Sequence, residues 1–384
     1  MKRAQHSLYV HVPFCVVKCG YCDFNSYVVE DVAAHDRFLQ ALDAELARVW
    51  RRGDVPVSVF FGGGTPSLLD EGRLVRLLEI VDGHAPLRDC AEVSMEANPE
   101  SFTAAKARAA MTAGVRRFSI GVQSFHARHL QFLDRAHDAD GAERAFAAAR
   151  EAGCENVSID LMFGIPTETE AEWRDDLERA LRLQPDHLSC YNLTFESGTR
   201  LTRDRDQGRV EANAEDSDRA MFEHTRARLA DAGFDAYEVS NFAGRGGPCR
   251  HNDHYWLQGD YVGVGPGGCS HRAGVRVTNL KPLDAWADAA LRGVPCAGSA
   301  ETLRPMQRVA EALWLGIRRA HGVDVDAVAE RIGVDAWRVF EPIVEQQRRD
   351  GLVERDGARV RLSPAGLLLA DRVGGDYLAA GLDD

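Results

Sequence analysis

The chain lacks any run of consecutive apolar residues that could cross a bilayer, for which roughly 18 to 20 are needed. Its first fourteen residues, MKRAQHSLYVHVPF, also lack the apolar segment that follows the basic start of a secretory signal. These absences argue against a membrane-spanning protein and against export. We therefore expect a cytoplasmic protein whose contact with membranes is at most transient.

Positive charge is also in short supply. The chain has 46 Lys and Arg residues against 59 Asp and Glu residues, which gives a formal net charge of -13. This balance argues against general electrostatic binding to nucleic acid, and no nucleic-acid partner is expected. With 45% hydrophobic residues and a length of 384, the composition indicates a soluble globular protein with one large domain and a smaller one.

Nine cysteines are present, and an odd number without an export signal argues against a disulfide framework. Three of them, Cys15, Cys19 and Cys22, lie within eight residues after the first predicted strand. Thiolates at this spacing can bind one metal centre. Iron–sulfur clusters normally use four thiolates, so three would leave one iron open to a small molecule. The alternative is a zinc site with a fourth ligand such as His11 or a distant cysteine.

Between residues 8 and 240, short apolar runs alternate with amphipathic helical patterns. Most of these runs are nearly continuous and rich in β-branched residues, which is typical of parallel strands covered on both faces. The sequence therefore predicts an α/β fold with a parallel sheet, open or curled into a partial barrel. The predicted strands are 8–12, 57–61, 91–95, 117–122, 156–163 and 187–193, and the predicted helices include 32–50, 70–82, 101–113, 139–152 and 169–183.

The rest of the chain has two different patterns. Residues 241–281 are rich in Gly, His and aromatic residues and have little periodicity, which predicts a long, ordered, functional loop. After about residue 300, three helical patterns precede a hairpin that turns at Asp356-Gly357, and a last helix begins near Pro364. That order resembles a winged-helix module. The predicted regions are 1–240, 241–299 and 300–384.

The neighbours of the cysteines carry a family resemblance. Tyr21 stands directly before the third cysteine, and a Gly-Gly-Gly-Thr-Pro segment follows the second predicted strand. This C-x3-C-x2-C pattern resembles the radical S-adenosylmethionine (SAM) superfamily. The motifs HVPFC, GGGTPS, EANPE, GVQSF and IDLMFGIPTET occur in the order found in its coproporphyrinogen III oxidase-like branch.

The resemblance implies a partial (β/α)6 barrel with a smaller, winged-helix-like α+β domain at the C-terminus. It also implies a [4Fe–4S] cluster on the three cysteines, SAM bound at the open iron, and an electron donor for the cluster. The protein's part in such chemistry is to bind and orient the cofactor.

The resemblance further assigns residues to SAM. Glu96 is expected to accept a hydrogen bond from the SAM ammonium, Arg135 to meet its carboxylate, and Asp160 to bind its ribose hydroxyls. Taken singly, Glu96 and Arg135 could equally be a helix cap or a surface ion pair. Burying a carboxylate inside an apolar strand, as at Asp160, costs free energy unless hydrogen bonds or a bound ligand compensate the charge. The complete set is Tyr9, Tyr21, Gly63, Gly64, Thr65, Glu96, Gln123, Arg135 and Asp160.

Two activities compete within this branch. The oxidases, which remove two propionate carboxylates from coproporphyrinogen, have a longer N-terminal extension and a further cysteine two positions after the third. Here fourteen residues precede Cys15, and Phe24 occupies that position. The segment His251–Trp256 instead matches the H-N-x-x-Y-W motif of HemW-type haem chaperones. This match favours a chaperone with haem as cargo and an acceptor protein as partner, and the oxidase is the alternative.

Haem needs an axial ligand and a flat apolar wall. From the motif, His251, Asn252, Tyr255 and Trp256 are expected to provide them. Two flanking residues are further candidates, Arg250 for a propionate and Cys249 as another axial ligand. The alternative is that this segment only folds over the barrel mouth, with His251 hydrogen-bonded and the aromatic rings packed.

A third hypothesis is a regulator that binds nucleic acid through the C-terminal module. The acidic net charge of the chain argues against it. Whether the chain is an enzyme stays open at this point.

Overall fold

The computed structural model describes residues 6–383, so residues 1–5 and 384 of the first and last predicted regions lie outside the described residues. Six strands in the first half of the chain lie side by side and parallel, in chain order. This arrangement confirms the predicted α/β barrel architecture. The strands are β1 (Ser7–Val12), β2 (Val59–Gly63), β3 (Val93–Ala97), β4 (Arg117–Gln123), β5 (Asn156–Phe163) and β6 (His187–Asn192).

Helices connect the parallel strands, and several begin at side chains that accept a hydrogen bond from the first turn. Asp31, Asp70 and Asp138 cap in this way, and Thr169 forms a capping box with Glu172. The helices are α1 (Val32–Val49), α2 (Glu71–His84), α3 (Ala104–Ala113), α4 (Ala127–Phe132), α5 (Ala139–Glu151), α6 (Glu170–Arg182), α7 (Arg200–Asp206) and α8 (Glu215–Asp231).

The two faces of the barrel strands differ. On β1, Leu8, Val10 and Val12 are fully buried in the hydrophobic core, whereas Tyr9 and His11 face the interior cavity. The expectation that the strands are covered on both faces was therefore wrong for the inner face. That face surrounds a cavity and does not pack as a core. Its polar residues on the later strands include Glu96, Arg117, Ser119, Asp160 and Ser189.

The expectation of a long loop over 241–281 was also wrong, because this segment contains four strands of the large sheet and a helix. The strand Tyr261–Val264 pairs parallel with β1, and three further strands extend that edge antiparallel. The opposite edge is extended next to β6. The elements are β7 (Asp235–Ala236), β8 (Asn241–Ala243), α9 (Arg250–Trp256), β9 (Tyr261–Val264), β10 (Cys269–Arg272), β11 (Val275–Asn279), α10 (Leu283–Leu291) and β12 (Ala297–Thr302).

The C-terminal domain has its own core, which contains Leu313, Phe340 and Tyr377. Its three strands form a small antiparallel sheet, and the hairpin turns at Gly357 as the sequence predicts. Among residues 6–383, no helix has both the length and the apolar character to cross a bilayer. The elements are α11 (Pro305–Gly316), β13 (Val323–Asp324), α12 (Val325–Ile332), α13 (Trp337–Arg349), β14 (Val353–Asp356), β15 (Arg359–Leu362), α14 (Pro364–Leu367) and α15 (Ala370–Asp383).

Candidate functional site

The cysteine loop, residues 15–22, follows the carboxyl end of β1. Its three cysteines are free and partly buried. The Thr65 Oγ1 lies 3.7 Å from the Cys15 Sγ, and the Arg135 Nη1 lies 3.9 Å from the Cys19 Sγ. These contacts hold the loop against the mouth of the barrel, where the carboxyl ends of the parallel strands meet.

The thiols have the chemistry that an iron–sulfur cluster requires. Burial raises the pKa of the Cys15 thiol, and it raises the pKa of Cys22 to about 11, so a bound metal would have to displace their protons. Arg135 adds a positive charge beside Cys19. Across residues 6–383, no three His, Cys, Asp or Glu side chains are close enough to enclose a single metal ion. Three sulfur donors on one loop, with a cation beside them, fit the cluster.

The Gly63-Gly64 segment brings bare backbone to the same mouth. Gly63 has a φ of 105°, and a Cβ there would lie 2.4 Å from the His11 ring, so only glycine fits. The Gly63 N–H donates to the Glu96 Oε2 at 3.1 Å, and the Gly64 N–H donates to the Val12 carbonyl at 2.8 Å. The end of β2 is thereby fixed beside the start of the cysteine loop.

Glu96 and Asp160 are half-buried carboxyls that line the cavity. Burial, assisted by the charge of Asp160, raises the pKa of Glu96 to about 7. Burial also raises the pKa of Asp160. The Asp160 carboxylate accepts hydrogen bonds from the Ser119 hydroxyl at 2.9 and 3.0 Å and from the Ser158 hydroxyl at 3.3 Å. Two acceptors are thus held inside the barrel, where a ligand's ammonium or hydroxyl groups could reach them.

Arg135 is held by a residue that the sequence analysis did not single out. Its Nη2 donates to the Asn98 Oδ1 at 2.8 Å and to the Gly121 carbonyl at 2.7 Å, and the Asn98 Nδ2 donates to the Thr65 Oγ1 at 2.9 Å. The Arg135 Nε is buried without a partner among the described residues. Asn98 lies in the EANPE motif, so the motif was the available signal.

Six of the nine residues expected to contact SAM lie outside the cavity lining, namely Tyr21, Gly63, Gly64, Thr65, Gln123 and Arg135. Tyr21 packs against a small apolar cluster that includes Leu133 and Ile165. Gln123 ends β4 at a bulge and has a φ of 67°. Tyr9 does line the cavity, and its hydroxyl lies 3.1 Å from the His11 Nδ1.

The barrel interior contains a cavity of about 710 Å³. Lys18 and Phe24 of the cysteine-loop region line its mouth, and Arg117 and His251 line its floor at the amino ends of the strands. This volume lies within the usual range for small-molecule sites, roughly 300–1,000 Å³. The cavity therefore extends from Lys18 of the cysteine loop, whose three cysteines lie outside its lining, to the H-N-x-x-Y-W segment.

The helix α9, which carries that segment, is fixed to the barrel floor. The Glu92 carboxylate accepts hydrogen bonds from the Arg250 N–H at 2.9 Å and from the His251 N–H at 3.1 Å. The His251 Nδ1 lies 2.8 Å from the Ser58 Oγ, and its Nε2 lies 2.9 Å from the Tyr255 hydroxyl. Burial lowers the pKa of His251 to about 3. His251 is therefore neutral, with both ring nitrogens engaged.

The motif residues divide between two environments. Asn252 and Tyr255 line the cavity together with His251. Trp256 lies outside the cavity lining, and the guanidinium carbon of Arg318, in the C-terminal domain, is 5.4 Å from the centre of its ring. The helix α9 thus lies between the barrel floor and the C-terminal domain, not over the mouth.

The two flanking residues considered for haem are not in the cavity lining. Arg250 is exposed, and Cys249 is buried with its Sγ 3.4 Å from the Glu92 carboxylate. Their position follows from the hydrogen bonds to Glu92, which hold the first residues of α9 at the amino end of β3. The cysteine of this region that lines the cavity is Cys269 on β10.

Comparisons with known proteins agree with this architecture. Residues 9–180 match the radical SAM superfamily model, and residues 303–369 match the HemN C-terminal domain. A Bacillus subtilis protein named heme chaperone HemW is 33% identical, over 97% of this chain and 99% of its own. The heme chaperone HemW of Mycobacterium tuberculosis H37Rv is 38% identical, over 95% of this chain and 93% of its own. The chain belongs to the HemW-type family of radical SAM proteins.

A solved structure supports the fold of this HemW-type chain. The coproporphyrinogen III oxidase HemN from Escherichia coli aligns with a TM-score of 0.83, over 98% of this chain and 90% of its own, at 22% identity. That likeness concerns the fold alone. Membership of the radical SAM family implies a [4Fe–4S] cluster and SAM as cofactors.

Proposed function

We propose that this protein is a cytoplasmic haem chaperone, which binds haem in the barrel cavity and transfers it to an acceptor protein. The observation that carries the proposal is the cavity itself, which extends from the cysteine loop to His251, Asn252 and Tyr255. The names of the Bacillus subtilis and Mycobacterium tuberculosis relatives, which align over nearly their whole length, support it.

In this proposal the cluster is held by Cys15, Cys19 and Cys22, with SAM at the open iron. When bound, the cluster supplies the electron that can cleave SAM. Glu96 orients the SAM ammonium, Arg135 binds its carboxylate and Asp160 binds its ribose. The other proposed SAM residues are Tyr9, Tyr21, Gly63, Gly64, Thr65 and Gln123.

An electron-donor protein is required for such a cluster. The exposed apolar side chains beside the cysteines, Val16, Val17 and Phe24, are 43%, 43% and 54% exposed. Because they flank the cysteine loop, a docked donor would lie close to the cluster. We assign the donor to this side of the barrel.

The haem is proposed to lie against an aromatic wall. Phe60 stacks on His251 with 5.1 Å between ring centres, and Tyr255 meets Tyr261 edge to face at 4.5 Å. Because the His251 Nε2 is hydrogen-bonded to the Tyr255 hydroxyl, iron ligation by this nitrogen requires that the hydroxyl turn away. Trp256 would then act by holding α9 against the C-terminal domain.

The three predicted regions acquire roles in this proposal. Residues 1–240 hold the cluster and SAM, residues 241–299 close the barrel floor and carry the haem motif, and residues 300–384 support α9 from behind. The Arg319 guanidinium forms an ion pair with Asp253 on α9 at 2.7 Å, which supports that last role. Phe24, in place of a further cysteine, argues against the oxidase alternative.

The test is anaerobic reconstitution of the cluster, followed by haem titration. We expect saturable, stoichiometric uptake with a Soret band, and no protoporphyrinogen from coproporphyrinogen III in the presence of SAM and a reductant. Failure of the cluster-loaded protein to bind haem saturably would sink the proposal. Formation of protoporphyrinogen would replace it with the oxidase.

A further inference from the structure

Arg117 is a buried cation with few partners. It begins β4, is 2% exposed, and lines the floor of the barrel cavity. Its Nη2 lies 3.3 Å from the His187 Nδ1, which is its one hydrogen bond within the described part of the chain. Its Nε is buried without a partner among residues 6–383, and no described carboxylate forms an ion pair with it.

This arrangement is unusual for a guanidinium, which carries five N–H donors in a planar fork. A buried charge is normally paired, because an unpaired one loses its hydration without compensation. The carboxylates of Glu92 and Asp160 contribute to its electrostatic environment. Their oxygens already accept bonds, from the start of α9 and from Ser119 respectively.

The other neighbour, His187, cannot supply the missing anion. Its Nδ1 also lies 2.8 Å from the Ser158 hydroxyl, and its Nε2 lies 3.0 Å from the Tyr237 hydroxyl. Burial and the charge of Arg117 lower the pKa of His187, so this ring is a neutral acceptor. The remaining donors of Arg117 are therefore left for whatever occupies the cavity.

We propose that Arg117 binds a carboxylate of the ligand that fills the cavity, and that this carboxylate is a haem propionate. The identity of the ligand rests on the proposed function. A guanidinium fork matches a carboxylate in two parallel hydrogen bonds. The carboxylate of SAM is already assigned to Arg135 at the mouth, so Arg117 serves a different ligand. The haem then enters with one propionate edge toward the floor.

The experiment compares haem with haem dimethyl ester, in which both propionates are uncharged. Both are titrated into cluster-loaded wild-type protein, into R117Q and R117K, and into R250Q as the matched control. Arg250 suits this control because its side chain is exposed outside the cavity. Iron and sulfide content and thermal unfolding check that each variant is folded. If R117Q does not fold, the affinities of wild type and R117K for haem and its ester still test whether Arg117 binds a propionate.

Wild type and R250Q should prefer haem over the ester by about 10-fold to 100-fold, as expected for a charged hydrogen bond. R117Q should lose most of this preference, and R117K should keep part of it. Equal affinities for haem and ester in wild type, or an undiminished preference in a folded R117Q, would overturn the role of Arg117 alone. Absence of saturable uptake of either compound by wild type would overturn the proposed function as well.

Discussion

The Ser58 Oγ lies 2.8 Å from the Nδ1 of His251, and both side chains are buried where the barrel meets α9. Ser58 is also 2.8 Å from the Ser7 hydroxyl, so the histidine is linked to the amino ends of both β1 and β2. The motif histidine is therefore part of the barrel floor as well as of the cavity wall. Its position depends on residues almost 200 positions earlier in the chain.

The first prediction concerns this link. Ser58→Ala leaves a buried ring nitrogen without its partner, so the free energy of unfolding should fall by about 1–3 kcal/mol. Chemical denaturation of the cluster-loaded protein measures it. Ser299→Ala, on exposed β12, is the control and should change stability by less than about 0.5 kcal/mol. A Ser58→Ala variant as stable as that control would show that the bond contributes nothing.

The second prediction is a pH dependence of SAM binding. The pKa of Glu96 is raised to about 7, and only the ionised carboxylate accepts a strong hydrogen bond from the SAM ammonium. As pH falls through 7, protonation of Glu96 competes with SAM, and the affinity should fall by up to about tenfold per pH unit. Equilibrium dialysis of SAM with the cluster-loaded protein between about pH 5 and 9 measures this.

Variants separate Glu96 from other titrating groups. Glu96→Gln should bind SAM weakly and lose the part of the pH dependence centred near 7. Glu168→Gln is the matched control, because burial raises the pKa of Glu168 to about 8 outside the cavity lining. That control should keep the wild-type profile. An unchanged profile in Glu96→Gln would exclude Glu96 as the titrating group.

How far the sequence predicted the structure depends on the range of the interactions. The helix predicted over 139–152 occupies Ala139–Glu151, because its limits follow from a local cap at Asp138 and from local periodicity. The strand β9, by contrast, is four residues long and is stabilised by pairing with β1, about 250 positions earlier. No local pattern reveals such a pairing.

The candidate site shows the same contrast between local motifs and long-range contacts. The cysteine loop and the Gly63-Gly64 turn are contiguous motifs, so the sequence indicated them directly. Arg117 was missed because its surroundings are formed by residues from other parts of the chain, among them Glu92, Asp160 and His187. Alternation along the strands, such as Arg117, Ser119 and Gly121 on one face of β4, was the signal that could have revealed a polar interior.

The third prediction tests Asn98 as a positioning residue. Asn98→Ala removes both the acceptor for Arg135 and the donor to Thr65, and SAM affinity should fall by about tenfold, the loss of one good hydrogen bond. Asn98→Asp keeps the acceptor for Arg135 and should retain more affinity. Cluster content from iron and sulfide analysis should be unchanged in both. Equal losses in the two variants would argue against positioning through Arg135.

The last prediction divides the haem motif between its two environments. Tyr255 lines the cavity and is hydrogen-bonded to the His251 Nε2, whereas the ring of Trp256 faces Arg318 of the C-terminal domain. Tyr255→Phe frees the ring nitrogen, so the Soret spectrum of bound haem should change if His251 ligates the iron.

Trp256→Phe should keep the haem spectrum and affinity but lower the free energy of unfolding by about 1–3 kcal/mol, because it removes packing between α9 and the C-terminal domain. Haem titration and denaturation of both variants measure these effects. If Trp256→Phe impaired haem binding while leaving stability intact, the tryptophan would have to contact haem directly, and α9 would have to be oriented differently in the bound protein.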